Sequence, residues 1–307
     1  MSFNNDIYYG NLIKGDLHGA VSYMKQFPEQ IAPYHRFLDV YEHEQYIIYD
    51  IEAELNEVLL AYQQYYRNAF YLCIGKEQSA GKLKEQLAVL LGITNDEIEL
   101  CDLEQNQLVE LFQHHGLHFL GGKTGGYYGP YVWQSTETMS YDVELPTGVY
   151  NYALRLLDGF IMRSWLDYLS FGEIGSGGWV DSDECISCVK SAWDFESESF
   201  RVSLLKHEAQ HARDLEMDKD MSSEDLEYRA KLVELIYSSE RNLLQAFIQE
   251  ASDSDKSNGH AMAAYRIMKE FINTFGWENI NGNTISVEQI QFFASKLFAD
   301  SEREHYF

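Results

Sequence analysis

Proline is scarce in this chain, with 4 among 307 residues, and cysteine is equally rare at 4. So little proline excludes a linker-rich or disordered chain. Cys73, Cys101, Cys185 and Cys188 are too few and too scattered for a disulfide framework, which predicts reduced thiols and a cytoplasmic protein. No stretch approaches the roughly 20 consecutive apolar residues of a membrane span. Residues 1–15 carry Asp6 and several polar residues where a signal peptide needs an apolar run. Positive charge is also short: 23 Lys and Arg stand against 49 Asp and Glu, a net charge of −26. Such a surface repels phosphate backbones and anionic lipid, which argues against nucleic acid and membrane partners. Spread along the whole chain, the excess is first a solubility device and does not by itself mark an acidic site.

What is plentiful is aromatic. Tyr (22) and Phe (17) lead an aromatic share of 14%, within a hydrophobic fraction of 45% that can fill a substantial core. Residues 15–115 read as helical, with apolar residues recurring at three and four around 46–70, 81–91 and 105–115. The texture changes at Gly116. Glycine pairs and β-branched or aromatic residues over 116–148 predict strands and turns. A helix is expected over 149–169, then a second β-like stretch over 179–193, then helices over 197–216, 223–250, 260–275 and 286–303. The fold class is α+β: a helical N-terminal region, 1–115, followed by a domain, 116–307, with a small antiparallel sheet and a long helix after it. One continuous domain is the alternative, because the boundary is a composition shift only.

Residues 207–211, His-Glu-Ala-Gln-His, match H-E-x-x-H. Residues four apart lie above one another on a helix face, so two imidazoles can bind one Zn2+ with the glutamate beside it. Zinc lowers the pKa of a bound water towards neutrality and polarises a substrate carbonyl. Ser197 or Ser199 can cap the helix, and no Gly or Pro interrupts it before Met217.

This motif, with a Glu-bearing helix downstream, resembles the zincin metallopeptidases and within them the gluzincins. The resemblance covers roughly residues 116–249. It implies that His207 and His211 are metal ligands, that Glu208 is the general base, and that a later glutamate completes the set. It also implies a sheet before the motif helix whose edge strand aligns peptide substrates, a place that 177–193 would fill. The metzincin pattern is not met, since Asp214 and Met217 stand where that pattern requires Gly and a further ligand.

Two neutral imidazoles leave the dication's charge uncompensated, so a carboxylate is the natural third ligand. The candidates are Asp214, Glu224, Glu227 and Glu234. Asp214 lies about 10 Å further along the same helix and suits a role orienting a histidine. Ser222 or Ser223 can cap a returning helix on which Glu224, Glu227 and Glu234 share a face. Glu224, in the first turn, is explained by the helix dipole. Glu227 is the chosen ligand, helped by small Ala230, and Glu234 is its rival. The Asp that gluzincins carry four residues after the ligand is replaced by Lys231.

Other motifs have plainer explanations. Gly15-Asp16-Leu17-His18-Gly19 has a phosphatase-like look but reads as a turn and helix cap. Gly122-Lys123-Thr124 lacks the P-loop glycine, because position 117 is Leu, and reads as a β-turn. Cys185-Ile186-Ser187-Cys188 reads as strand, and His114, His115 and His118 as a loop cluster; His260 could stabilise an oxyanion across the cleft, as some zincins require, but reads more simply as a packed or surface histidine. The expected function is that of a zinc-dependent hydrolase, a metallopeptidase cleaving peptide bonds in a peptide or protein substrate through a zinc-activated water. The alternative is an acidic non-enzymatic interaction protein with a structural or vestigial zinc site.

Overall fold

The computed structural model describes residues 2–94, 98–180, 185–254, 256, 258–282 and 284–306. The chain is α+β and divides into two compact units, Met1–Ser135 with Asp158–Ser176, and Thr136–Leu157 with Gly177–Phe307. The composition shift at Gly116 therefore falls inside the first unit. Among the described residues no helix is long and apolar enough to cross a membrane.

The first unit contains α1 (Asn5–Ile13), α2 (Leu17–Met24), α3 (Ile31–Phe37), α4 (Ala53–Tyr66), α5 (Lys76–Leu90), the single turn α6 (Leu100–Asp102), α7 (Val109–His114) and, after the excursion into the other unit, α8 (Ser164–Leu169). At its centre is α4, which buries Leu55, Val58, Leu59, Tyr62, Tyr65 and Tyr66. That spacing exceeds one stripe, so the helix is enclosed by neighbours on several sides. The phenol groups find partners. Tyr62 donates to Glu104 at 2.6 Å, and the Tyr65 hydroxyl accepts from the Tyr128 amide at 3.1 Å. Strands β1 (His118–Leu120), β4 (Tyr131–Trp133) and β7 (Met162–Arg163) form a small antiparallel sheet. β2 (Lys123–Thr124) and β3 (Tyr127–Tyr128) form a hairpin whose two turn residues, Gly125 and Gly126, have φ of 59° and 80°. Two successive positive φ values define the primed turn that suits strand twist and favours glycine. The Gly-Lys-Thr segment is thus a hairpin. Asp16 caps α2 by accepting from the Gly19 amide at 2.8 Å, so that motif is a turn and cap as well.

In the second unit, β5 (Ser135–Leu145), β6 (Gly148–Asp158), β9 (Ile186–Val189) and β8 (Gly178–Val180) lie in the order β5-β6-β9-β8. The predicted helix over 149–169 is absent: β6 runs to Asp158, and only the short α8 follows. Leu154 and Leu156, two apart, are both buried, which is strand periodicity. The helix-permissive composition of residues 153–157 hid this, and pairing with β9 overrode it. That pairing is parallel, Leu154 opposite Ile186 and Leu156 opposite Cys188, so the sheet is mixed, not purely antiparallel. All four cysteines are free.

Helices α9 (His207–Met217), α10 (Ser223–Tyr237), α11 (Asn242–Glu250), α12 (Gly259–Phe275), α13 (Trp277–Asn281) and α14 (Val287–Tyr306) complete the unit. α9 packs on β8 and β9, and α10 packs against α9, α12 and α14. The helix expected over 223–250 is broken at Ser238. There the Glu198 carboxylate accepts from the Ser239 amide at 2.7 Å and the Ser238 hydroxyl at 3.1 Å, supplying the partners that a continuous helix would not need.

A buried ion cluster joins α9, α10 and α14. Asp214 and Arg229 are both wholly excluded from solvent. Asp214 accepts from Arg229 Nε at 2.7 Å and Nη2 at 3.0 Å, from Arg213 at 3.0 Å and from the Tyr306 hydroxyl at 3.1 Å. Arg229 also donates to Ser301 and contacts Glu302, which Arg213 grips through two bonds at 2.7 and 3.0 Å. Removing one partner of such a pair leaves an uncompensated buried charge. Asp214→Ala is expected to cost about 3–5 kcal/mol of unfolding free energy, measured by urea titration. A loss below about 1 kcal/mol would show that water compensates the exposed arginine.

Candidate metal centre

The motif helix is prepared by the segment before it. Ser197 Oγ accepts from the Phe200 amide at 3.0 Å, capping a wide π-helical stretch, Phe200–Lys206, that leads directly into α9. π-Helical turns often accompany functional sites because they re-aim the residues around them. From His207 onward the helix is regular, so His207 and His211 stand one turn apart with ring centroids at 4.6 Å. The second helix starts at Ser222, whose hydroxyl accepts from the Asp225 amide at 3.1 Å. Glu227 follows one turn later.

The two helices bring His207, His211 and Glu227 together, with one ligand atom from each all within 4.8 Å of one another. The two Nε2 atoms are 3.0 Å apart. Glu227 Oε2 is 3.5 Å from His207 Nε2, and Oε1 is 3.5 Å from His211 Nε2. Donor bonds of about 2.0–2.2 Å at tetrahedral angles separate ligand atoms by roughly 3.3–3.6 Å. Two neutral nitrogens and one carboxylate at these separations therefore suit a zinc-sized divalent cation after a shift of a few tenths of an ångström. His207 and Glu227 are buried, at 7% and 9% exposure, and His211 is partly so.

Glu234, two turns beyond Glu227, stands behind the first histidine. His207 Nδ1 lies 2.7 Å from its Oε1. With a proton held on Nδ1 by that carboxylate, Nε2 is the nitrogen that would offer its lone pair to a cation between Glu227 and His211. The rival third ligand thus takes the orienting role expected of Asp214, while Asp214 is committed to Arg229. Lys231, at the place of the expected gluzincin Asp, pairs with Glu250 at 2.7 Å. His211 Nδ1 and both amide atoms of Gln210 are buried without a hydrogen-bond partner among the described residues.

His260, which the sequence offered as an oxyanion stabiliser but which read more simply as a packed or surface histidine, also comes to the site. Its Nδ1 is 2.8 Å from Glu227 Oε2, its ring lies 6.4 Å from that of His207 and nearly parallel, and its side chain is 58% exposed. Gly259 makes this possible. A Cβ there would fall 2.2 Å from Ser223 Oγ and 2.9 Å from the Ser223 carbonyl oxygen, so the starts of α10 and α12 can meet only at glycine. Glu208 follows His207 on α9 and is partly exposed. The cluster His114, His115 and His118 does not converge: His115 approaches Glu54 at 3.6 Å, and His118 stacks on Trp133.

The charges at the site are tightly coupled. Burial pulls the His207 pKa down, but its contacts with Glu227 and Glu234 and the nearby charge of Glu208 prevail, and it is pushed up to about 10. Burial raises Glu227, yet His207, His211 and His260 around it hold its carboxyl well below the usual range. Without a cation, the site stores a proton on His207 as the counter-charge to its carboxylates.

Protein-family models, curated proteins and solved structures were all searched, and none matches this chain.

Because His207 is protonated in the metal-free protein up to about pH 10, cation binding must expel that proton. Apparent zinc affinity is therefore expected to rise about tenfold per pH unit between pH 6.5 and 8. Competition with a chromophoric chelator measures this, and a flat profile would contradict it. In the same assay Glu227→Ala is expected to lose most of the affinity, Glu234→Ala about 10–100-fold, and Glu224→Ala little.

Proposed function

We propose that the second unit is a zinc-dependent hydrolase of the metallopeptidase type, with His207, His211 and Glu227 as ligands and Glu208 as general base. The single observation that carries this reading is the convergence of the motif histidines with a carboxylate from the next helix, backed by Glu234 on His207. Zinc held there would supply a Lewis acid for a peptide carbonyl and lower the pKa of attacking water. The chain's own residues do the rest. Glu227 neutralises part of the dication's charge, and Glu234 keeps the His207 ring in one orientation. Glu208, next to a ligand but free of the ligand triad, accepts the proton of the attacking water at its carboxylate and returns it to the leaving amine.

The substrate class is supported by the sheet. β8 is the terminal strand of its sheet and packs against α9. An extended peptide added beside such a strand would lie along the motif helix, using main-chain hydrogen bonds for affinity. Gly178 in β8 permits this layering, since a Cβ there would meet Leu204 at 2.5 Å and the Ser187 carbonyl oxygen at 2.7 Å.

A second reading has one observation in its favour. His260 touches Glu227, and a fourth protein donor would close the site and leave it structural, in an acidic interaction protein.

The two readings separate on one variant. Glu208→Gln is expected to keep zinc and thermal stability while losing about 10²–10⁴-fold in turnover of a fluorogenic peptide library. Equal turnover by wild type and variant would remove Glu208 from the mechanism. Zinc-loaded protein that cleaves nothing in the library would favour the structural reading.

A further inference from the structure

The first unit contains a cavity of about 440 Å³ whose walls include Phe3, Tyr8, Tyr9, Arg36, Phe171 and Glu173. Its size lies within the range of small-molecule sites, and its lining has their usual make-up: aromatic walls with a few polar groups. Two features set it apart from an ordinary surface hollow.

The first is the pair of charges. In a chain with more than twice as many acidic as basic residues, Arg36 makes no ion pair among the described residues. Its guanidinium instead lies 4.3 Å from the centre of the Phe171 ring. A guanidinium over an aromatic ring still has N–H donors to offer, and their fork matches a planar carboxylate. Glu173, in the same lining, also forms no ion pair among the described residues. Its charge reaches the phenols: burial, then Tyr9 and Glu173, push the Tyr8 hydroxyl up to about 12, and burial and Glu173 raise Tyr9. Among the described residues the cavity therefore presents one cation and one anion, neither in an ion pair with another described residue, among aromatic rings.

The second is strain. Phe171 has φ of 55°, in the left-handed region that a bulky residue rarely enters. It follows the end of α8 where glycine is the usual choice, and Gly172 comes one residue later. The same ring and Arg36 also border a smaller cavity of about 160 Å³, lined further by Ile47, Tyr49 and Met162. An aromatic residue with a strained backbone that lines both cavities and carries an arginine over its ring fits the pattern of a ligand clamp.

We propose that the larger cavity binds a zwitterion of amino-acid to dipeptide size with an aromatic side chain, its carboxylate on Arg36, its ammonium on Glu173 and its ring against Tyr8 and Tyr9. A polyanion such as a nucleotide meets only one arginine and is repelled by Glu173. A simple cation meets Arg36. Only a ligand with both charges satisfies both groups, and phenol faces with neutral hydroxyls suit an aromatic ring. This site is independent of the metal reading.

Calorimetric titration of the full-length protein with L-phenylalanine, L-tryptophan and glycyl-L-phenylalanine tests the proposal. At least one is expected to bind saturably, with phenethylamine (no carboxylate) and 3-phenylpropionate (no ammonium) each at least tenfold weaker. Arg36→Ala, an exposed side chain without ion pairs among the described residues, should keep the wild-type melting temperature and lose at least tenfold in affinity, and Glu173→Gln should do the same. No saturable binding of any of the three up to roughly 10 mM would overturn the proposal. So would equal affinity for wild type and Arg36→Ala, or for phenethylamine and L-phenylalanine.

Discussion

The geometry of the second unit hangs on the buried Asp214–Arg229 pair. Asp214 belongs to the helix that carries both motif histidines, and Arg229 sits two residues after Glu227 on the next. Two hydrogen bonds between a planar guanidinium and a carboxylate admit little sliding or rotation, so they set the register of α9 against α10. With that register set, Glu227 falls opposite the two histidines and Glu234 falls behind the first. The C-terminal helix joins the same cluster through Ser301, Glu302 and Tyr306. A pair of this kind contributes little net stability compared with a well-packed apolar substitute, but it tolerates few alternative arrangements. Specific placement is what a metal centre requires.

Burial and charge are balanced differently in the two units. The first solves the problem with tyrosine. Tyr41, Tyr62, Tyr65 and Tyr66 fill its core with large rings, and burial raises the pKa of each of these phenols, so they stay neutral. The buried carboxylate among them, Glu104, accepts from Tyr62 and from the Gly122 amide. Burial pushes it up to about 7 against those two hydrogen bonds. The second unit instead buries groups that are charged at neutral pH and satisfies them pairwise. At the candidate metal centre the pairing is incomplete. Two carboxylates crowd His207, and their contacts raise its pKa, favouring its protonated form as their counter-charge. A dication in place of that proton meets the same electrostatic demand with more charge, which is a physical reason for such a cluster to exist in so acidic a chain.

Much of the site was legible in the residues. The i, i+4 histidines needed only a helix, and the stretch 197–217 holds no Gly or Pro to prevent one. Ser222 fitted a helix cap, and the small Ala230 after Glu227 allowed close approach of α9 and α10. Glycines at 125 and 126 between aromatic residues matched a tight hairpin. These are short-range matters: spacing, capping and turn chemistry act within a few residues, so the local sequence determines them. The strand over Gly148–Asp158 was not legible, because its composition also permits a helix and only a partner 32 residues on, β9, decides between them. The parallel pairing that makes the sheet mixed arose in the same way. Glu227 and Glu234 share a helix face, and which of them meets the metal site and which meets Nδ1 depends on the register of α10 against α9. Asp214 and Arg229 set that register from inside the packed helices. The approach of His260 to Glu227 depends on a helix crossing at Gly259. Sequence by itself determined which residues could act. Tertiary packing decided which of them meet, because contacts between distant segments are chosen by how buried charges and side-chain volumes fit together.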